Sequence, residues 1–212
     1  MSARGADKAL ATARTTLMVL GICAAAGCSV LEPKPDTSRY FLLRSLAEEG
    51  PAPLDDLVLG LGPVTVPDYL DRSEMLDVVG PYELRYSSQN RWIEPLGEQI
   101  RRTLADNLRT MLRPDAIVEY PWYATDPVTL EVGVAFSAIR LDEGGVWRGS
   151  ATWVLRDAAT ARALERSDHV FELGRGAVPP EDIARRLSEE MAGLADEIAA
   201  GVRRHHSANQ ER

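Results

Sequence analysis

The spacing of apolar residues changes along this chain, and that change most limits the folds it can adopt. Two stretches carry apolar residues at intervals of three and four, the pattern of one face of an amphipathic helix. Pro95 suits the first turn of the first predicted helix, and Pro114 marks its end. The first stripe contains Ile93, Leu96, Ile100, Leu104, Leu108 and Met111, and the second contains Ile183, Leu187, Met191, Leu194, Ile198 and Val202.

Elsewhere the apolar residues alternate with polar or small ones, as they do in strands. The alternation over residues 128–138 resumes over 147–155, with a turn at 142–145 between them. The face predicted to be buried in the first of these strands contains Val128, Leu130, Val132, Val134, Phe136 and Ala138. Further strands are predicted over residues 39–45, 57–66 and 169–173, and a hairpin over 74–79 and 82–86. Strands, a helix, strands and a second helix indicate one α/β or α+β domain.

Residues 1–27 follow the plan of a secretory signal peptide. Three basic residues, Arg4, Lys8 and Arg14, precede an apolar stretch at 17–26. A stretch of this length is too short to cross ~30 Å of hydrocarbon as a helix. Simple secretion, or a short helix buried in a core, is the alternative to the lipoprotein interpretation that the next residues favour.

The run Ala25-Ala26-Gly27-Cys28 resembles a bacterial lipobox, in which the cysteine receives a diacylglyceryl thioether and becomes the mature N-terminus. Cys28 is therefore predicted to be lipidated, whereas Cys23 follows the bulky Ile22 and is removed with the signal peptide. Residues 28–38 contain two prolines and no hydrophobic period, so they are predicted to form a lipidated flexible linker. Residue 29, directly after the cysteine, is a serine. An aspartate at this position resembles a signal for retention in the inner membrane, so its absence favours transfer to the outer membrane.

The charge of the mature chain excludes several classes of partner. Removal of Arg4, Lys8, Arg14 and Asp7 with the signal peptide changes the net charge from −8 to −10. An acidic surface repels nucleic acid and anionic headgroups, which argues against DNA binding and against polybasic docking on a membrane.

Sequence motifs for catalysis or cofactor binding are not found. The chain has no G-x-S-x-G, H-E-x-x-H, C-x-x-C or phosphate loop, and the partial glycine motif at residues 60–65 lacks its third glycine. His169 is predicted to be a structural histidine with satisfied hydrogen bonds, and His205 and His206 to be solvated cations at a helix end. We therefore expect neither an enzyme nor a bound cofactor or metal.

Two segments in the middle of the chain resemble a known family. The order Tyr69-Leu70-Asp71-Arg72, then Arg91-Trp92, then Pro95-Leu96, preceded by a lipobox and a "YFLL" strand, is similar to the auxiliary lipoprotein components of ABC-type transport systems. These lipoproteins accompany MCE-domain proteins of the paraquat-inducible type. The resemblance covers about residues 37–205, so the domain is placed at 39–205, with a polar tail at 206–212.

The resemblance implies an α/β fold with a mixed sheet and flanking helices. It also implies a non-enzymatic subunit that is anchored to the inner leaflet of the outer membrane. The implied partners are an MCE-domain protein, which forms a periplasmic conduit, and its permease and ATPase, with self-association into a homo-oligomer. Tyr69, Leu70, Arg72, Arg91 and Trp92 are the candidate partner-binding residues. The alternative function is a periplasmic lipoprotein that itself binds a lipid or a small amphiphile.

The lipobox generates a direct prediction about membrane attachment. Cys28→Ser is expected to release the protein from membranes into the soluble envelope fraction, because no thiol remains to carry the diacylglyceryl group. Cys23→Ser is the matched control and is expected to leave fractionation unchanged. Retention of the Cys28 variant in membranes, or acyl modification mapped to another residue, would contradict the prediction.

Overall fold

The computed structural model describes residues 36–80, 82–113, 116–123, 125–142 and 144–210. The predicted signal peptide, Cys28 and most of the predicted linker lie outside the described residues. The described strands are β1 (Arg39–Phe41), β2 (Val58–Thr65), β3 (Glu74–Gly80), β4 (Glu83–Trp92), β5 (Ala116–Glu119), β6 (Leu130–Leu141), β7 (Val146–Asp157) and β8 (Ala163–Arg175). The described helices are α1 (Leu96–Leu112) and α2 (Pro180–Gln210).

The strands form two sheets. The larger has the order β5-β2-β6-β7-β8, in which β2 runs parallel to β5 and β6, and the strands β6, β7 and β8 are antiparallel neighbours. The smaller has the order β1-β4-β3, in which β1 is parallel to β4 and β3 is antiparallel to it. The predicted α/β fold with a mixed sheet and flanking helices is therefore confirmed, and the small second sheet is an addition to it.

Both helices cover one face of the larger sheet. Helix α1 packs on α2 and on β2 and β5, and α2 packs on β7 and β8. The predicted stripes supply this core, because burying apolar side chains is the main favourable term in folding. Fully buried side chains in it include Leu59, Leu61, Leu104, Leu108, Trp153, Leu155, Met191, Leu194 and Ile198.

Several elements differ from the sequence prediction for local reasons. A register shift in β6 between Phe136 and Ala138 turns Ile139 toward the core in place of Ala138, which is only half buried. Such a bulge reverses the inward and outward alternation beyond it. Ile93 lies before α1 and is exposed. The strand β5 was not predicted, and α2 continues to Gln210, into the residues where a polar tail was expected.

Neither helix in the described part of the chain combines the length and the apolarity that crossing a membrane requires.

The packing of α2 yields a stability prediction. Leu187, Met191, Leu194 and Ile198 are buried on one face, so truncation of each to alanine is expected to lower the free energy of unfolding by ~2–5 kcal/mol. Arg186→Ala is the matched control on the exposed face, and its change is expected to stay within ~0.5 kcal/mol. Denaturant midpoints measure both. Equal tolerance of the two classes would mean that α2 does not pack through this stripe.

Candidate functional site

The residues between β2 and β3 form a tight turn that includes three of the five predicted partner-binding residues. The backbone N–H groups of Leu70 and Asp71 donate to the carbonyl oxygen of Pro67, at 2.8 and 3.1 Å, and Arg72 N–H donates to Leu70 O at 2.8 Å. This folding turns Leu70 toward the interior and leaves Arg72 exposed.

The turn is fixed to the first turn of α1 by a carboxylate. Asp71 Oδ1 accepts a hydrogen bond from Gly97 N–H at 3.1 Å, and Arg72 O accepts one from Leu96 N–H at 3.3 Å. Pro95 precedes the helix and supplies no side-chain cap, so Asp71 satisfies an N–H group that would otherwise be without a partner, and its charge suits the helix dipole. A Cβ atom at residue 97 would lie 2.7 Å from Asp71 Oδ1, which explains the glycine there.

Leu70 and Trp92 are placed differently from the sequence prediction. Both were expected on a partner-facing surface, but only 7% of Leu70 and 5% of Trp92 is exposed. Trp92 ends β4, where it pairs with Phe41, and its backbone N–H donates to Ser73 O at 2.6 Å. The two side chains belong to the hydrophobic core and support the surface from beneath.

Glu74 brings the two predicted arginines together. Its carboxylate lies 3.6 Å from Arg72 Nε and 3.3 Å from Arg91 Nη1. A hydrogen bond from its own backbone N–H, together with the charges of Arg91 and Arg72, holds the pKa of Glu74 below its usual value. The carboxylate therefore stays ionised near neutral pH and keeps both guanidinium groups oriented.

Arg72 also stacks on an aromatic ring. Its guanidinium carbon lies 4.5 Å from the ring centroid of Tyr86, a cation–π geometry. The Tyr86 hydroxyl donates to Tyr69 O at 3.3 Å. The Tyr69 hydroxyl in turn accepts from Ile139 N–H at 3.2 Å and donates to Ile139 O at 3.3 Å, which ties this cluster to the bulge of β6. All five predicted residues thus lie around one site.

A small apolar pocket opens beside this cluster. Its volume is about 40 Å³, and Glu74 is the charged residue in its lining. Ligand pockets for small molecules usually measure roughly 300–1,000 Å³, so this one has the size for a single apolar side chain. Its apolar lining includes Leu70, Leu76, Trp92, Trp147 and Ile183.

The apolar wall of the pocket continues onto the β3–β4 hairpin. Leu76, which lines the pocket, is paired across the strands with Tyr86, and directly paired residues share a face. Leu84 lies two residues from Tyr86 on the same strand, and it is exposed, as is Tyr82 in the turn before it. Glu74 and these hairpin residues were not predicted from the sequence to belong to the site. The alternation of Tyr82, Leu84 and Tyr86 beside a predicted turn was the available signal.

The histidines occupy structural positions. His169 is buried between β8 and α2, and its Nδ1 donates to Glu197 Oε1 at 2.9 Å, but its buried Nε2 makes no hydrogen bond, so the predicted full satisfaction of the ring is not met. Glu190 Oε2 lies 3.3 Å from the other ring nitrogen, and burial raises the pKa of the Glu190 carboxyl. His205 was expected to be solvated, but its Nε2 donates to Glu165 at 3.1 Å. Within the described ranges, no group of three His, Cys, Asp or Glu side chains is arranged to hold a metal ion.

Comparison with known proteins adds a family and a fold. The family model described as ABC-type transport auxiliary lipoprotein component matches residues 40–199. A crystal structure of a DUF330 protein from Xanthomonas campestris has a TM-score of 0.66 and 10% identity, covering 82% of this chain and 99% of that one. A crystal structure of an uncharacterized protein has a TM-score of 0.60 and 21% identity, and the match covers 78% of this chain and 99% of that one. No curated protein matches the chain. At these identities the two structures show a shared fold.

The contact between Asp71 and α1 can be tested by stability measurements. Asp71→Ala is expected to lower the free energy of unfolding by ~0.5–2 kcal/mol, because it removes a helix-capping acceptor. Asp71→Asn keeps an acceptor and is expected to lose less. Asp68→Ala, in the same turn and exposed, is the control and is expected to stay within ~0.5 kcal/mol. If both alanine variants unfold at the same denaturant concentration as the unaltered protein, the cap contributes nothing.

Proposed function

The chain belongs to the family of ABC-type transport auxiliary lipoprotein components, and we propose that it is a non-enzymatic adaptor in an MCE-type system for intermembrane lipid transport. In this proposal Cys28 anchors it to the periplasmic face of the outer membrane, and the folded domain docks on the MCE-domain protein. A permease and an ATPase complete the system, and the chain self-associates. The observation that carries the docking proposal is the oriented Arg72 beside an apolar pocket and hairpin.

The composition of this surface supports the docking proposal. Aromatic residues and arginine dominate the energetics of protein interfaces, especially beside pockets that exclude water. Arg72 is held by Glu74 at 3.6 Å and by the Tyr86 ring at 4.5 Å, so it loses little side-chain freedom when a partner binds. Tyr82 and Leu84 supply exposed apolar area next to it.

The pocket beside Arg72 suits a side chain of a docking partner and is too small to enclose a lipid at this position. A lipid carrier needs an apolar cavity of several hundred Å³, whereas the pocket beside Arg72 measures about 40 Å³. An apolar side chain of a partner fits this volume. If the purified chain retained one lipid molecule per protein, the carrier function would replace the adaptor function.

The docking proposal predicts the effect of two substitutions. Arg72→Glu places a second negative charge beside Glu74 and removes the cation over Tyr86, and Leu84→Asp removes an exposed apolar contact. Each is expected to weaken binding to a partner MCE-domain protein by about 30-fold, which corresponds to ~2 kcal/mol. Affinity is measured by titration of the purified partners, and crosslinking gives a second readout.

Arg166→Glu is the matched control, because Arg166 is exposed on β8 and its substitution makes the same change of charge as Arg72→Glu. Melting curves and circular dichroism establish that each variant folds. Leu70→Asp is unsuitable, since it would bury a charge in the core. Normal binding by folded Arg72→Glu and Leu84→Asp variants would mean that docking does not use this surface. No binding by the unaltered protein would contradict the adaptor function itself.

A further inference from the structure

Residues 42–47, which follow β1, form a strap that contacts both helices. Leu43 N–H donates to Gln99 Oε1 of α1 at 2.9 Å, and Arg44 N–H donates to Ser188 Oγ of α2 at 3.1 Å. Asn107 Oδ1 of α1 accepts from the N–H groups of Leu46 and Ala47, at 3.0 and 3.1 Å, and from the Ser45 hydroxyl at 2.8 Å.

These contacts fix the position of the strap. Gln99, Asn107 and Ser188 are buried, and a buried polar group is costly unless it is hydrogen-bonded. The strap donates hydrogen bonds to one side-chain oxygen of each of these residues, so the helices hold it in one place, although the buried Nδ2 of Asn107 has no hydrogen-bond partner. Leu43 consequently points into the core, while the side chains on either side of it remain outside.

The outward side chains form an apolar patch. The strap patch consists of Tyr40, Leu42, Leu46 and Ile93, which are between 46% and 58% exposed. Ile93 joins it because its N–H donates to Phe41 O at 2.9 Å, next to Leu42. Isolated exposed apolar residues are ordinary, but a contiguous patch on a rigid support indicates a contact surface.

Open grooves lie on both sides of Leu42. The groove toward α2 has a volume of about 410 Å³ and is also lined by Tyr40 and Leu46. The groove toward α1 has a volume of about 190 Å³ and is also lined by Ile93. Leu42 therefore forms a ridge between two hollows, and the patch is continuous across it.

Three arginines at the rim of the patch are paired with carboxylates, and Arg44 of the strap is a further exposed cation that lines the groove toward α2. Arg39 lies 3.4 Å from Glu181, Arg102 lies 2.8 Å from Glu94, and Arg185 lies 3.0 Å from Asp182. The rim therefore neither strongly attracts nor strongly repels a charged partner. Attraction to this surface has to come from its apolar centre, with tyrosine and arginine at the boundary, as in segments that lie at a membrane interface.

We propose that the strap patch rests on the lipid bilayer and inserts its apolar side chains at the level of the headgroups. This inference rests on the proposed lipid anchor. Cys28 precedes Arg39 by eleven residues, and at up to ~3.6 Å per residue the tether spans at most ~40 Å. The patch is the first folded surface after the anchor, so the tether holds it at high effective concentration near the membrane.

The mode of binding has a distinctive dependence on lipid charge. The mature chain carries a net charge of −10, so anionic headgroups repel it as a whole. Insertion of the strap patch is driven by apolar burial, which salt screens little. We therefore expect binding to neutral vesicles that persists at high salt and weakens as anionic lipid is added.

The experiment uses the full mature chain with Cys28→Ser and vesicles of phosphatidylcholine and phosphatidylethanolamine. Sedimentation with vesicles measures the partition coefficient. Leu42→Asp is expected to reduce the partition coefficient about ten-fold, because a leucine that would be buried at the headgroup level is replaced by a charge. Val170→Asp is the matched control, since Val170 is an exposed apolar residue of β8 with 65% exposure, and it is expected to bind like the parent.

A site-specific probe provides the second readout. Cys28→Ser leaves the mature chain without a thiol, so Leu42→Cys and Val170→Cys can each carry one environment-sensitive fluorophore. The label at residue 42 is expected to shift to the blue with vesicles, and the label at 170 to remain unchanged. Absence of binding by the parent chain, or equal effects at the two positions, would overturn the proposal.

Sedimentation equilibrium tests whether the strap patch binds a second copy of the chain instead of a membrane. If Leu42→Asp dissociates an oligomer and leaves vesicle binding intact, the patch is an interface between copies of the chain and the membrane proposal fails. Affinity for the MCE-domain protein is measured separately on the same variants, so a failure of membrane docking is distinct from a failure of the adaptor function. Melting curves establish that both aspartate variants are folded.

Discussion

The first turn of α1 needs hydrogen-bond acceptors that its own sequence does not provide. Pro95 has no polar side chain, and Gly97 has no side chain that could reach back. Asp71 supplies the acceptor from another segment, at 3.1 Å. This carboxylate joins the turn before β3 to the helix that covers β2 and β5, and the bond from Leu96 N–H to Arg72 O strengthens the same junction.

The candidate docking surface follows from that junction. With Asp71 on the helix, Leu70 fills the pocket wall and Arg72 emerges beside Tyr86. Glu74 then lies within 3.6 Å of Arg72 and 3.3 Å of Arg91. A segment that resembles a family motif thus has two physical roles, since Asp71 holds the architecture and its neighbour Arg72 presents a guanidinium group to solvent.

The N-terminal part of the domain is held by a different kind of contact. Gln99, Asn107 and Ser188 are buried polar residues on the two helices, and their side-chain oxygens accept hydrogen bonds from the backbone of the strap. Polar contacts of this kind specify one position, whereas apolar contacts alone would allow sliding. They explain how a short segment without regular structure can keep Leu42 exposed on a defined ridge.

The sequence by itself determined the helices and strands that leave a regular spacing of apolar residues within one continuous segment. The three- and four-residue spacing of Leu187, Met191, Leu194 and Ile198 predicts a helix, and the alternation over residues 147–155 predicts a strand, because each pattern reflects the repeat of one backbone conformation. The lipobox and the motif around Tyr69 and Trp92 also lie in continuous sequence, and they were sufficient to indicate the family.

Only the tertiary structure decided which distant groups meet. The parallel pairing of Arg39–Phe41 with Asn90–Trp92 created the second sheet, and the bulge after Phe136 exchanged Ala138 for Ile139 in the core. The burial of Leu70 and Trp92 and the role of Glu74 also depend on partners remote in sequence. Periodicity records the conformation of one segment, whereas burial and ion pairing depend on which segments pack together, so the same residues could be recognised from sequence but not placed.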